Sequence, residues 1–416
     1  MIQIKEKYEC CGCGACVQRC PKHCIEFIKD KEGFLYPKVD ETTCINCGLC
    51  EKVCPIINQN SIRKPLDIYA ASNTNEVIKA ESSSGGIFTI LAETIINEGG
   101  VVFGARFNEQ YEVVHDFTDN ISGLAAFRGS KYVQSKIGNS FSEAETFLKQ
   151  NRKVLFSGTP CQITGLKKFL RKEYSNLVTV DFVCHGVPSP EVWRNYLSSI
   201  IRPKGVDGKN SVSLSLNDMP SIESISFRDK RNGWKKYGFS VRQKSAFKAD
   251  KNTVFPSDNN DTIIYEPFDK NAYLHGFVRN LYLRPSCYHC PSKSFKSGSD
   301  YTLADFWGAS SYIKDDDKGI SILFVHNNKL NIDTSSFIRI DMEAAIGQNP
   351  AITKSSKMKD GRDAFFRKMS NKELDIEALI KKYAKYSIKE YIRNLIIKIL
   401  VKSRLISIAK IILRKK

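Results

Sequence analysis

The sequence lacks any apolar run long enough to span a bilayer, and its opening, MIQIKEKYEC, holds no apolar stretch of signal-peptide type. Neither secretion nor a membrane-spanning body is expected from it. No G-x-G-x-x-G fingerprint is present, which leaves a Rossmann dinucleotide site unsupported. No C-x3-C-x2-C run is present either, which removes a radical-SAM centre. Acidic residues are scarce at one end: residues 381–416 hold twelve Lys/Arg against the single Glu390. Most of the net charge of +18 therefore sits in that segment, and the remainder of the 416-residue chain is only mildly basic. The length predicts two or three domains.

What the sequence has is cysteine, fourteen in all. Cys10, Cys13, Cys16 and Cys20 are spaced C-x2-C-x2-C-x3-C and followed by Pro21; Cys44, Cys47, Cys50 and Cys54 repeat the spacing before Pro55. This run wraps 4Fe–4S clusters in bacterial two-cluster ferredoxins, where the fourth cysteine of each run reaches the other cluster. The expected ligand sets are crossed: Cys10, Cys13, Cys16 with Cys54, and Cys44, Cys47, Cys50 with Cys20. Disulfides would need an oxidising compartment. Structural zinc takes two separated pairs rather than two runs of four. Cys11 and Cys24 fall outside the repeat and are expected as small buried thiols. A reducing cytoplasm is the expected location.

Residues 1–60 form the cluster module, with Ile25–Ile28 and Phe34–Val39 as a hairpin around Asp30-Lys31-Glu32-Gly33. After a linker near Pro65 the pattern alternates strands (68–72, 101–105, 112–117, 154–156, 177–183) with helices (85–97, 141–149, 163–172, 190–197). That predicts an α/β body, or α+β with the ferredoxin module counted. We read 61–200 and 201–345 as the N-terminal and C-terminal halves of one domain, with a helical basic tail at 346–416. The polar stretch 203–260 is expected to be less regular, and residues from Gly308 onward to be supporting structure. In the tail, Ile392, Leu395, Ile396 and Ile399 gather on one helical side while lysines interrupt every apolar run. An anionic membrane surface is one candidate partner for 381–416. A helix packed on the body is the plainer alternative, and nucleic acid has no accompanying motif.

Two segments in the body carry chemistry. VLFSGTPCQ (154–162) is a strand–turn–helix that sets Cys161 near a helix N-terminus, where the dipole favours a thiolate. VDFVCHGVP (180–188) puts Cys184 and His185 just past another strand. In a parallel sheet both lie along the carboxyl edge, where α/β proteins place ligands. Cys287 and Cys290 form a C-x2-C pair. These four cysteines are candidates for a third 4Fe–4S cluster, with zinc or simple packing as alternatives. Two Ser/Gly-rich pieces, 82–86 and 128–135, offer backbone N–H groups before a helix, with Arg128 and Lys131 adding charge.

Together the segments SSSGGIFTILA (82–92), VVFGA (101–105), RGSKYVQS (128–135), LFSGTPCQITGLKKFL (155–170), VDFVCHGVPSP (180–190), ISFRDKRNGWKKYGF (225–239) and RPSCYHCPSKSFKSGSDYTLADFWG (284–308) resemble the family of coenzyme F-420 hydrogenase/dehydrogenase beta subunits. The resemblance covers about residues 1–310. It implies a non-Rossmann flavin-binding α/β body in which FAD passes electrons between clusters and a two-electron carrier or substrate. It implies a flavin surrounded by Ser84, Gly85, Gly86, Arg128, Lys131, Tyr132, Gln134, Ser157, Gly158, Thr159 and Gln162. Cys161, Cys184, Cys287 and Cys290 would hold the adjoining cluster. His185 and Asp305 are candidates for proton handling or for orienting the flavin. Partners implied are a redox protein or reduced ferredoxin and a small two-electron carrier. Similar bacterial chains often belong to surface-polysaccharide gene sets, which fits a position at the inner face of the membrane. Three functions follow: an oxidoreductase with its own substrate, an electron-transfer subunit of a larger complex, or a cluster-stabilised binding protein.

Overall fold

The computed structural model describes residues 1–201, 222–243, 254–256, 262–347, 349–370, 375–385 and 396. The amphipathic helix expected after residue 385 falls outside the described residues, Ile396 apart.

Each cysteine run closes a short helix, Ala15–Gln18 and Leu49–Lys52. Both helices are entered through a left-handed glycine, Gly14 (φ 78°) and Gly48 (φ 68°). A residue without Cβ allows this tight entry. Between the runs, β1 (Ile25–Lys29) and β2 (Leu35–Val39) form an antiparallel hairpin with Ile25 opposite Val39.

The body is built on β3 (Asp67–Ala71), β4 (Val101–Phe107), β5 (Val113–Thr118), β6 (Val154–Gly158) and β7 (Leu177–Phe182). After them come β8 (Ile222–Asp229), β9 (Gly238–Gln243), β10 (Val254–Pro256) and β11 (Thr262–Pro267), then β12 (Tyr301–Asp305), β13 (Ser321–Val325) and β14 (Ile338–Arg339). One eight-stranded mixed sheet has the order β14-β3-β13-β12-β7-β6-β4-β5. Its centre is parallel: β4 with β6, β6 with β7, β7 with β12. The carboxyl ends of these four strands therefore share one edge. Alternate residues enter opposite cores. Val101, Phe103, Val154 and Phe156 face the helices Ser140–Lys149 and Pro160–Leu170. Val102 and Leu155 face Ile87–Asn97. Strands covered on both faces read as continuous apolar runs, which is why this part is visible in the sequence.

Three expectations are corrected. Within the stretch 203–260, the described residues 222–243 and 254–256 are more regular than their polarity predicts, because β8, β9 and β10 join β11 in a four-stranded antiparallel sheet; the rest of the stretch lies outside the described residues. The sheet's apolar residues alternate with polar ones: Phe227, Phe239 and Val241 are buried while Arg242 is exposed. Strands β3–β7 and β12–β14, from the two halves 61–200 and 201–345, lie in one sheet. Residues beyond Gly308 are central, not peripheral, because β13 is a fully buried strand between β3 and β12. The segment from 346 is also only partly a tail. Helices Arg362–Met369 and Ile376–Tyr383 bury Phe365, Phe366, Leu379 and Ile380 in a core with Tyr196, Tyr273 and Tyr282.

The N-terminal module is docked tightly on the body. Cys13, Ala15, Cys16 and Val53 share a core with Phe141, Phe156, Leu166 and Phe169. Helix Pro160–Leu170 presents Gly165 to the module, and a Cβ there would sit 2.9 Å from Cys13 Sγ. Arg19 pairs with Glu145 at 3.1 Å. Glu32, in the hairpin turn, accepts from both terminal nitrogens of buried Arg362, at 3.1 and 2.5 Å.

Candidate iron–sulfur and flavin site

The cysteines form three groups. In the first, burial and then the charges of Cys10, Cys54 and Cys50 push the Cys16 thiol up. Cys13 faces Cys16 and Cys54, and Cys54 faces Cys10. Cys54 thus lies beside the first three cysteines of the other run. The second group lines a cavity formed by Cys20, Cys44, Cys47 and Cys50 together with Cys24, Pro21 and Ile25.

The third group is assembled by topology. The end of β6 leads through Thr159 into helix Pro160–Leu170, which has Pro at its first position and a reciprocal Thr159–Gln162 capping box. Cys161 sits in that first turn. Cys184 follows β7, and Cys287 and Cys290 come from the turn Pro285–His289 and its end. Burial pushes Cys184 up to about 12, with Cys161 and Cys290 adding to it. Burial and then Cys184, Cys290 and Cys161 raise Cys287, and burial with Cys161 raises Cys290. Every pair among the four is thus in electrostatic contact. Lys293 Nζ donates to Cys184 O at 2.7 Å. Thiols that resist ionising together are what a cationic iron centre relieves, since ligation requires thiolates. Among the described residues no three His, Cys, Asp or Glu side chains converge on a point suited to one ion.

Cys11 and Cys24 are buried as expected; Cys11 sits between the first and third groups, and Cys24 belongs to the second. Cys11 and Cys13 share one buried core, and Cys161 packs against it. Cys24 lies 3.4 Å from Cys20 and beside Cys44. Nothing in the local spacing signals the core around Cys11, because Cys161 is distant in the chain.

The residues expected around a flavin reach one end of the sheet but are not equally free. Ser84 Oγ donates to Ile320 O at 2.8 Å, and Gly85 N to Ser321 Oγ at 3.0 Å. A Cβ on Gly85 would meet Ala71 O at 2.6 Å, so this loop is pressed onto β3 and β13. Gly86 (φ 81°) opens helix Ile87–Asn97, whose N-terminus carries no side-chain cap. Arg128 donates to Thr89 Oγ1 in that first turn (3.3 Å) and pairs with Glu81 (2.8 Å). Ser130 N donates to Ser83 Oγ at 2.5 Å, joining the two Ser/Gly-rich pieces. Burial pulls Lys131 down to about 7, its Nζ donating to the carbonyls of Ala126, Arg128 and Gly129. Tyr132 stacks on Phe277 at 4.5 Å. Ser157 Oγ donates to Phe103 O, and Gly158 closes β6. Thr159 and Gln162 are bound in their capping box, with Gln162 Nε2 also donating to Ser135 Oγ. Gln134 does not face this loop cluster: its Nε2 donates to Cys11 O at 3.0 Å.

His185 Nε2 is 2.6 Å from Asn280 Oδ1, and burial lowers its pKa. Asp305 accepts from Arg228 Nη1 at 3.0 Å. Arg228 lies inside a motif of the sequence that assigns it no role. It is 5% exposed, lies over Tyr237 (4.2 Å), and leaves Nε and Nη2 without hydrogen-bond partners. His115 is a second residue that no sequence pattern marks: burial drives it down to about 4 beside Ser157 O.

These cysteine groups define an iron–sulfur protein, and residues 9–56 match the family described as 4Fe-4S dicluster domain. Residues 151–332 match the family described as the C terminus of the coenzyme F420 hydrogenase/dehydrogenase beta subunit. It is 25% identical over 162 residues to the F subunit of the F(420)H(2) dehydrogenase of Methanosarcina mazei, covering 37% of this chain and 46% of the relative. It is 28% identical over 178 residues to the coenzyme F420-dependent sulfite reductase of Methanocaldococcus jannaschii, covering 40% and 26% respectively. A ferredoxin of the same organism is 38% identical over 52 residues, 12% of this chain and 66% of that one. The chain thus spans less than half the length of the first two relatives. A chain in the solved F420-reducing NiFe hydrogenase complex of Methanosarcina barkeri aligns over 78% of this chain and 91% of its own length, with TM-score 0.41 and 17% identity. No helix among the described residues is long and apolar enough to cross a membrane.

Proposed function

We propose that this chain is an FAD- and iron–sulfur-dependent oxidoreductase relaying electrons between its dicluster module and a two-electron partner. The ligand sets are Cys10, Cys13, Cys16, Cys54; Cys20, Cys44, Cys47, Cys50; and, for a third 4Fe–4S centre, Cys161, Cys184, Cys287, Cys290. When bound, the clusters supply single electrons and the flavin pairs them for transfer of two. The observation that carries this reading is the packing of Cys11, Cys13 and Cys161 in one core, where the helix that bears Cys161 meets Cys13 at Gly165. It sets the ferredoxin-type module directly against the body's own cysteine group.

The chain's residues have distinct tasks in this reading. The uncapped N-terminus of Ile87–Asn97, with Arg128 at its first turn, takes a flavin phosphate. Lys230, whose Nζ donates to Ser84 O at 3.2 Å, adds charge to that loop. The capping box of Thr159 and Gln162 fixes the turn that carries Cys161. His185 is held by Asn280 as an orienting group, and Asp305 aims Arg228.

The test uses the anaerobically purified chain. Reduced ferredoxin should bleach a bound flavin, and coenzyme F420 or another two-electron acceptor should restore its absorbance. A chain without flavin would overturn the reading. A flavin that is reduced but reoxidised by no small acceptor would establish the second reading, an electron-transfer subunit. That alternative is favoured by the relative that is itself one subunit of a dehydrogenase.

A further inference from the structure

Three arginines among the described residues are buried deeply enough for their charge to demand a partner. Arg228 has Asp305 at 3.0 Å, and Arg362 has Glu32. Arg284 is the most enclosed of the three, at 1% exposure, and among the described residues no carboxylate pairs with it. Its donors go to neutral oxygens: Nε to Cys10 O (2.7 Å), Nη1 to Gln134 Oε1 (2.9 Å) and Nη2 to Leu35 O (2.8 Å). Tyr36 and Phe34 cover its guanidinium at 4.4 and 5.3 Å. A buried charge without a countercharge is costly, so the position requires an anion nearby.

Cysteines flank Arg284 on both sides: its Nε donates to Cys10 O, and its own carbonyl accepts from Cys287 N at 2.9 Å. Held as cluster ligands, Cys10 and Cys287 would be thiolates and supply the negative charge. Cys10 belongs to the first dicluster group and Cys287 to the third group. The chain also makes room for this side chain. Gly12 has φ 71°, and a Cβ there would lie 2.7 Å from Arg284 Nη1. Gln134, bonded to Arg284, donates to Cys11 O at 3.0 Å. Arg284, Gln134 and the Cys10–Gly12 backbone thus form one hydrogen-bonded wedge between the two groups.

We propose that Arg284 is a shared counter-cation for two 4Fe–4S centres, the inner dicluster centre of Cys10, Cys13, Cys16 and Cys54 and the body centre of Cys161, Cys184, Cys287 and Cys290. This rests on the third centre of the proposed function. A cluster with four thiolates carries net negative charge, and charge and hydrogen bonding set its potential. A fixed cation next to both centres favours their reduced forms. It raises both potentials together, which keeps electron exchange across the core around Cys11 near balance. Arg284 is a positioning residue in this scheme.

The experiment is an EPR-monitored redox titration of the full chain, with iron counted in each sample. The variants are Arg284→Gln, Arg284→Lys and Gln134→Glu. Arg284→Gln should move two centres to more negative potentials and leave the outer centre of Cys20, Cys44, Cys47 and Cys50 unmoved. Arg284→Lys should stay nearer the parent. Gln134→Glu retains the arginine but neutralises it locally, so it should reproduce the shift even where Arg284→Gln fails to assemble. Twelve irons with unmoved potentials in Gln134→Glu, or an equal shift of all three centres, would overturn the role of Arg284 while leaving the relay standing. Eight irons in the parent chain would remove the third centre itself, and the shared counter-cation with it.

Discussion

The two dicluster groups and the body group hold the same number of cysteines but are made in opposite ways. In the module, a repeated local spacing does most of the work: left-handed Gly14 and Gly48 turn each run, and only Cys20 and Cys54 reach across. In the body, no two ligating segments but the Cys287/Cys290 pair are near in sequence. Parallel pairing of β6 with β7 brings Cys161 and Cys184 to one edge, and the bridge between Pro188 and Leu283 lays the turn of Cys287 and Cys290 beside them. A local code tolerates change elsewhere in the chain, whereas a topological one depends on the whole sheet.

Single substitutions should separate the two kinds most strongly. Cys54→Ser should remove the inner dicluster centre and leave the outer one, although Cys54 belongs to the second run. Cys20→Ser should do the reverse. EPR of the reduced chains distinguishes these outcomes, and loss of the same centre in both would break the crossed ligand assignment. A smaller but still large effect is expected at the joint between the module and the body. Removing one partner of a buried ion pair costs about 3–5 kcal/mol, so Arg362→Ala should lower the denaturation midpoint accordingly. A midpoint within the error of the parent would mean that Glu32 and Arg362 do not hold the joint.

Asp181 gives a pH-dependent contrast within the sheet. Burial raises its carboxyl to about 6 despite hydrogen bonds from Thr302 and its neighbours. A folded-state pKa above the unfolded value favours the protonated native form. The native state therefore loses stability as pH rises from about 4 to about 6, by at most about 3 kcal/mol for a two-unit shift. Asp181→Asn should flatten that slope in melting curves taken across this range. An unchanged slope would show that the carboxyl does not titrate there. The smallest effect concerns Gly165. Overpacking costs about 1–3 kcal/mol, and Gly165→Ala would press on Cys13. It should perturb the inner centre's EPR signal more than the outer one's; equal perturbation would contradict the close approach.

Much of this was legible in the sequence because local rules sufficed. The cysteine spacing announced the module, and the buried runs of β4, β6 and β7 announced the parallel sheet. Hidden parts were those fixed by distance. The polar alternation of β8 and β9 masked a second sheet, and β13 was inconspicuous until paired between β3 and β12. Gln134, a flavin contact by the resemblance, bonds Cys11 and Arg284. No local pattern distinguishes a glutamine that meets a cofactor from one that meets a buried arginine.

The central claim is that a ferredoxin-type pair of clusters abuts a third cluster held by the sheet. Iron and acid-labile sulfide per chain, counted in the anaerobically purified protein and in a variant with Cys161, Cys184, Cys287 and Cys290 all changed to Ser, test it most directly. The account predicts about twelve irons falling to about eight, four per cluster. Equal counts of about eight in both would contradict it and leave the body's four cysteines as packing thiols.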